Sequence, residues 1–242
     1  MVDFEFKEEK QSEAIVITID GPAGSGKTTT AKELAKILDY RHLDSGALYR
    51  TLTFSLLSAN VPTSRWDQLE ETDLEGLELQ FIPEGDSIEM YYNQRKLSSE
   101  LRSPEVTDNV SYVSSLGVVR NWLLGTQQML GAHGGLVADG RDMGAAVFPD
   151  AEVKIFLTAE LEIRARRRLL ENIGEESSKE QFKEEMIRIE ERDLADRSRK
   201  YSPLIRAEDS ILVDTTTLSF KDQLIVVRNI VNFPPWTGLR AP

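Results

Sequence analysis

The run Gly21-Pro22-Ala23-Gly24-Ser25-Gly26-Lys27-Thr28 constrains this 242-residue chain more than any other feature. It matches the spacing G-x-x-x-x-G-K-[ST], and it follows directly on the apolar stretch AIVITID at 14–20. A strand, a glycine-rich loop and a helix in that order form a cradle for phosphate. Glycine lets successive backbone N–H groups turn inward, and the helix start adds the positive end of its dipole. Lys27 reaches the β- and γ-phosphates of a nucleoside triphosphate, Thr29 continues the wall, and the Thr28 hydroxyl is a candidate Mg2+ ligand. The competing reading is a flexible glycine-rich turn with no ligand. A guanine-selective switch protein is disfavoured, because N-K-x-D is absent and the sole D-x-x-G, Asp73–Gly76, has no apolar strand before it.

Further short apolar runs lie at 41–44, 135–140, 153–159 and 211–215, each of four to seven residues and non-alternating. Apolar residues at three- and four-residue spacing fill 28–38, 45–59, 104–130 and 160–172, and Ser219 with Asp222 opens a further helix through Val231. Strands alternating with helices predict an α/β fold on a parallel sheet. Two stretches depart from that rhythm. Residues 61–100 switch to period two around a turn at 83–86, predicting a small antiparallel hairpin. Residues 160–202 are highly charged and read as one nearly uninterrupted helical region, for which a solvated helix face is the plain explanation.

Charge narrows the class of partner. Lys plus Arg number 29 and Asp plus Glu 41, a net of −12, which disfavours nucleic acid polymers and anionic membranes. Residues 161–200 are nevertheless neutral and hold eight of the eighteen arginines. No stretch has the roughly eighteen apolar residues of a membrane helix. Zero cysteines exclude thiolate metal sites, and an acidic 1–13 without an apolar core predicts a tail and not a leader. A cytoplasmic protein is expected.

Three more clusters carry chemistry. Leu43-Asp44-Ser45-Gly46-Ala47-Leu48-Tyr49-Arg50 ends one strand and opens a helix, placing Arg50 for a second phosphate unless Ser45 only caps and Arg50 faces water. Asp139-Gly140-Arg141-Asp142 sets two carboxylates around an arginine at the edge where ligands bind open parallel sheets. Arg192, Asp196 and Arg199 share a helical face, either as an ion-pair ladder or as part of a site.

The stretches ITIDGPAGSGKTTTAKELA, HLDSGALYR, VADGRDMGAAVFPDAEVKIFLTA, ERDLADRSRKYSPL and ILVDTTTLS together resemble the bacterial cytidylate kinases, from Ile15 to about Val231. The resemblance implies a P-loop core with a five-stranded parallel sheet in the order 2-3-1-4-5. It also implies transfer of the γ-phosphoryl of MgATP to CMP or dCMP. The core would comprise 14–60, 101–159 and 203–242, with an acceptor-binding insertion at 61–100 and a lid at 160–202. Carried onto matching positions, Arg50 and Arg141 hold the CMP phosphate. Ser45, Arg120, Asp142 and Arg199 read cytosine, while Ser111, Arg192 and Asp196 contact the sugar. Lys27, Arg141, Arg192 and Arg199 are the expected catalytic residues, and a monomer is expected. A related kinase accepting UMP, or a non-catalytic nucleotide-binding regulator, are the alternatives.

Overall fold

The computed structural model describes residues 14–174 and 177–233, so the tail expected at 1–13 and the last nine residues lie outside the described residues. In chain order the elements are β1 Val16–Asp20, α1 Lys27–Leu38, β2 Arg41–Asp44, α2 Ser45–Ser58, α3 Glu71–Glu75, β3 Leu79–Glu84, β4 Ser87–Tyr92 and β5 Arg95–Lys96. There follow α4 Pro104–Val113, α5 Gly117–Gly131, β6 Leu136–Gly140, β7 Val153–Thr158, α6 Leu161–Ile173, α7 Lys179–Ser198, β8 Ile211–Asp214 and α8 Phe220–Asn232.

Five strands pair in parallel as β2-β6-β1-β7-β8. Numbered among themselves these stand 2-3-1-4-5, the order the resemblance implies. Their apolar residues are buried on both faces because helices cover both. Ile17, Val137 and Val153 stand in register and pack with Leu34 of α1 and Val227 of α8. Leu43 and Ala138, also in register, pack on the other side with Leu52 of α2 and Leu123 of α5. Each fully buried leucine stabilises this arrangement by about 1.5–3 kcal/mol.

The hairpin expected within 61–100 is present, but it is no separate small sheet. β3 and β4 pair antiparallel around the two-residue turn Gly85-Asp86, and β4 joins the edge of β2 through a parallel bridge, His42 to Ser87. The described sheet therefore has eight strands. Ile88 and Met90 of β4 go into the core against α2, which is what holds the insertion in place.

Two expected helices are each divided. The helix read over 104–130 breaks after Val113. There the Ser114 and Ser115 hydroxyls donate to the Ser111 and Tyr112 carbonyls and compete with helix continuation. Gly117 restarts the chain where a Cβ would meet the Tyr201 ring at 2.9 Å. The region 160–202 is a helical hairpin, not one rod. α6 ends at Gly174, with φ of 82°, and Ser178 with Gln181 forms a reciprocal capping box that starts α7.

Candidate active site

Loops at the carboxyl ends of β1, β2 and β6 surround a cavity of about 360 Å3, closed on one side by α6 and α7. The phosphate loop forms its floor. Gly24 and Gly26 have φ of 74° and 85°, a region costly for any residue with a side chain, and they bring α1 in with its amino end toward the cavity. Lys27 starts that helix and is only 8% exposed, with Nζ donating to the Pro22 carbonyl at 3.2 Å. Burial pushes its pKa down to about 7, Arg141 pushes the same way, and Asp139 opposes them. An arriving polyphosphate would supply the negative charge that this ammonium lacks.

Next to it, the Thr28 hydroxyl donates to Asp139 Oδ2 at 2.6 Å, and Asp139 Oδ1 lies 2.7 Å from His42 Nε2. Hydroxyl and carboxylate oxygens, with Asp44 also on the cavity wall, suit a hard cation such as Mg2+. Among the described residues no cluster of three or more His, Cys, Asp or Glu could hold a metal alone.

Opposite the loop stands a group of arginines. Asp196 joins three of them. It accepts from Arg141 Nε at 2.7 Å and lies 3.5 Å from Arg192 and 3.6 Å from Arg199. Desolvation would raise the Asp196 pKa, but the surrounding guanidinium groups outweigh it and the carboxyl stays below its ordinary value. The ladder expected at 192, 196 and 199 is thus real, and it extends to a different element through Arg141.

Asp142 forms a second hub, paired with Arg120 and, at 3.4 Å, with Arg199. Arg120 also lies over the Tyr49 ring at 5.3 Å. Its Nε is buried with no hydrogen-bond partner in the described structure. Arg50 donates to the Leu101 carbonyl and Thr107 hydroxyl, both at 3.1 Å. Burial pushes its pKa down to about 10, and nearby Arg192, Arg102 and Arg168 add to the effect while Asp44 opposes it.

Most of the sequence-predicted residues converge on this cavity. Ala23, Gly24, Gly26, Lys27, Thr28 and Thr29 line one end of it. Ser45, Arg50, Arg141, Asp142, Arg192, Asp196 and Arg199 line the rest. Arg50 therefore does not face bulk water, and the cap of α2 is Asp44, not Ser45. Gly21, Pro22 and Ser25 shape the loop without lining the cavity. Arg120 stands behind Asp142, and Ser111 lies off the wall, on the same helix as the lining Val110.

Sequence reasoning missed Tyr49, Arg102, Ser114, Arg168 and Glu171 as wall residues. It singles out Asp139 with Asp142 at the strand end but gives it no role of its own. Arg168 was hidden in the charge run. No residue of 61–100 lines the cavity, although Arg102 just beyond it does.

Comparison with known proteins agrees with this geometry. A family model described as cytidylate kinase matches residues 17–233. A curated relative named cytidylate kinase from Bacillus cytotoxicus is 45% identical over 219 residues, 90% of this chain and 94% of that one. Another of the same name from Bacillus cereus is 43% identical over 220 residues, 90% of this chain and 96% of that one.

Proposed function

The chain belongs to the cytidylate kinase family and phosphorylates CMP and dCMP with ATP, and from that premise we propose how the cavity divides the work. The phosphate loop with Lys27 takes the ATP phosphates. Arg50 and Arg141 hold the acceptor phosphate, and Asp142 with Arg120, Arg199 and Ser45 reads the base. Arg192, Asp196 and Ser111 take the sugar side. A phosphate oxygen of CMP attacks the γ-phosphorus in line. The bond from that phosphorus to the β–γ bridging oxygen breaks, and ADP leaves with the electron pair. The acceptor phosphate attacks as an anion, so no general base is required. Catalysis here is positioning and charge stabilisation by Lys27, Arg141, Arg192 and Arg199.

Thr28 and Asp139 are the residues that would hold Mg2+, which when bound would supply positive charge to the phosphates. The lid reading of 160–202 is supported by Arg168, Arg192, Asp196 and Arg199, all contributed to the wall by α6, α7 and its cap. The insertion at 61–100 is read as acting through its neighbours, since the Leu101 carbonyl holds Arg50. No helix among the described residues is long and apolar enough to cross a membrane. A cytoplasmic location is the reading favoured by a cysteine-free chain, and a monomer is proposed with it.

One observation carries this reading. A buried carboxylate pinned by two arginines, Asp142, shares a cavity with a phosphate loop, at a scale fitting two nucleotides' reacting ends. An acceptor screen with MgATP against CMP, dCMP, UMP and AMP tests it through ADP formation. CMP and dCMP should stand well above the other two. Equal turnover of UMP would remove base reading from the site.

A further inference from the structure

Ala23 of the phosphate loop is gripped at both ends of its backbone by the lid helices. Its N–H donates to Asp193 Oδ1 of α7 at 3.0 Å, and its carbonyl accepts from Arg164 Nη1 of α6 at 3.0 Å. Arg164 and Asp193 pair with each other, and Arg164 Nε donates to the Ala159 carbonyl at 3.0 Å. All three residues are buried, at 7%, 4% and 3% exposure for Arg164, Asp193 and Ala23. The Ala23 methyl packs with Ala165 and Ile189 in a small apolar cluster between the two helices. Gly24 lies so close that a Cβ would meet the Arg164 carbonyl oxygen at 2.9 Å.

A buried ion pair is a poor way to add stability, because desolvating two charges offsets most of their attraction. Here the pair does something an apolar contact could not. It supplies a donor and an acceptor, correctly spaced, to one residue of a loop whose neighbouring amides must point elsewhere. Among the described residues Gly24 and Gly26 donate no hydrogen bond, so their N–H groups stay free for phosphate. Ala23's N–H is already taken.

We propose that Arg164 and Asp193 are positioning residues, which set the phosphate-binding shape of the loop by clamping Ala23 to the base of the lid. This deepens the kinase reading and rests on it for the identity of the ligand.

The test uses the full chain. The variant Arg164→Met/Asp193→Leu replaces the pair with apolar groups of similar size, which preserves or raises stability in comparable buried pairs. Its melting temperature should fall modestly, because the Ala23 N–H and the Ala23 and Ala159 carbonyls lose their partners while no charge is stranded, and its Kd for CMP should change little. Its Kd for ATP should weaken by about tenfold or more, as expected when hydrogen bonds from a charged group to a ligand-shaping loop are lost. Asp193→Asn keeps an oxygen for the Ala23 N–H but turns its NH2 toward Arg164, so its ATP affinity should fall between those of wild type and the double variant. In the nucleotide-free wild type, amide exchange at Ala23 should be slow while Gly24 and Gly26 exchange fast, a readout that needs no variant. Wild-type ATP affinity in the double variant, a parallel loss of CMP and ATP binding, or fast exchange at Ala23 would each overturn the proposal. Wild-type protein that binds ATP yet makes no CDP would refute the kinase reading and leave the clamp standing.

Discussion

Asp142→Asn should change which base the enzyme accepts more than how fast it works. Asp142 is 3% exposed, and each of its carboxylate oxygens already faces an arginine, Arg120 at Oδ2 and Arg199 at Oδ1. Each oxygen keeps a second lone pair. A cytosine amino group can donate to one of them, the pairing expected of an aspartate with that edge of the base. A hydrogen bond to a charged acceptor is worth about 1.5–3 kcal/mol, or roughly 10- to 150-fold in kcat/KM. Alanine is the wrong probe. It would strand two buried guanidinium groups, and breaking such a pair costs about 3–5 kcal/mol of stability.

Asparagine keeps the shape but not the charge. Its carbonyl can keep only one of the two positions, the Oδ2 site facing Arg120, so its NH2 takes the Oδ1 site, where the Arg199 contact is the looser one at 3.4 Å. A cytosine amino group brought to that site meets a donor in place of an acceptor, whereas a uracil carbonyl there finds a partner. CMP should therefore lose about 10- to 150-fold while UMP loses much less. Coupled ADP-formation assays, run well below the melting temperature of the variant, give kcat/KM for both. An equal fold loss on CMP and UMP would refute the argument and move Asp142 to the phosphate or metal side of the site.

Lys27→Ala should lower turnover by at least about a hundredfold, because charge on the transferring phosphoryl is left unneutralised. Since burial has pushed the Lys27 pKa from 10.5 to about 7, its ionised form costs stability at neutral pH, and scanning calorimetry should show a melting temperature equal to or above wild type. A large fall would mean that Lys27 supports the fold. Asp20, with its two oxygens accepting from the Met143 and Gly144 amides at 2.8 Å, has a pKa raised by burial from 3.8 to about 7. The folded state then holds a proton that the unfolded state has released, so this contribution is full below pH 3.8 and is lost as pH rises to about 7. Wild type should lose melting temperature from pH 5 to 8 more steeply than Asp20→Asn, and parallel slopes would sink the assignment.

How much of this was legible follows from how local each signal is. The phosphate loop is written in consecutive residues, and each of its glycines and its Lys27 can be read without knowing the rest of the chain. The strand order came with the resemblance, not from pattern. The break between α4 and α5 was invisible because Val110, Val113, Leu116, Val119 and Leu123 keep three- and four-residue spacing across it and all five are buried. What stops the helix is serine hydroxyls competing for carbonyls, a signal weaker than an apolar stripe. The alternation in 77–92 announced a hairpin but could not name its partner, because the bridge from Ser87 to His42 spans distant parts of the chain. The charge run at 161–200 was the least readable. A solvated ladder and a buried clamp use the same residue types at the same spacing, and only the burial of Arg164 and Asp193 against the phosphate loop separates them.

That run also explains how an acidic chain can hold a phosphate-binding cluster. The cluster's arginines, from this run and from Arg120 and Arg141, are neutralised in advance by carboxylates of the same cavity, with Asp196 serving Arg141, Arg192 and Arg199 and Asp142 serving Arg120 and Arg199. Shared pairing keeps the empty site from repelling itself apart, but it leaves each arginine with less than one full counter-charge. Arg50 is the extreme case. Among the described residues its guanidinium hydrogen-bonds only to neutral acceptors, the Leu101 carbonyl and the Thr107 hydroxyl, and its pKa is lowered first by burial and then by neighbouring Arg192. A phosphate dianion therefore gains most where it reaches Arg50, and gains again wherever an arginine is only partly neutralised by Asp196. On this account, the acidic field of the rest of the chain slows the arrival of anions without weakening their hold. Raising ionic strength would screen that repulsion at long range, over about 10 Å at 0.1 M, and leave the buried pairs nearly untouched.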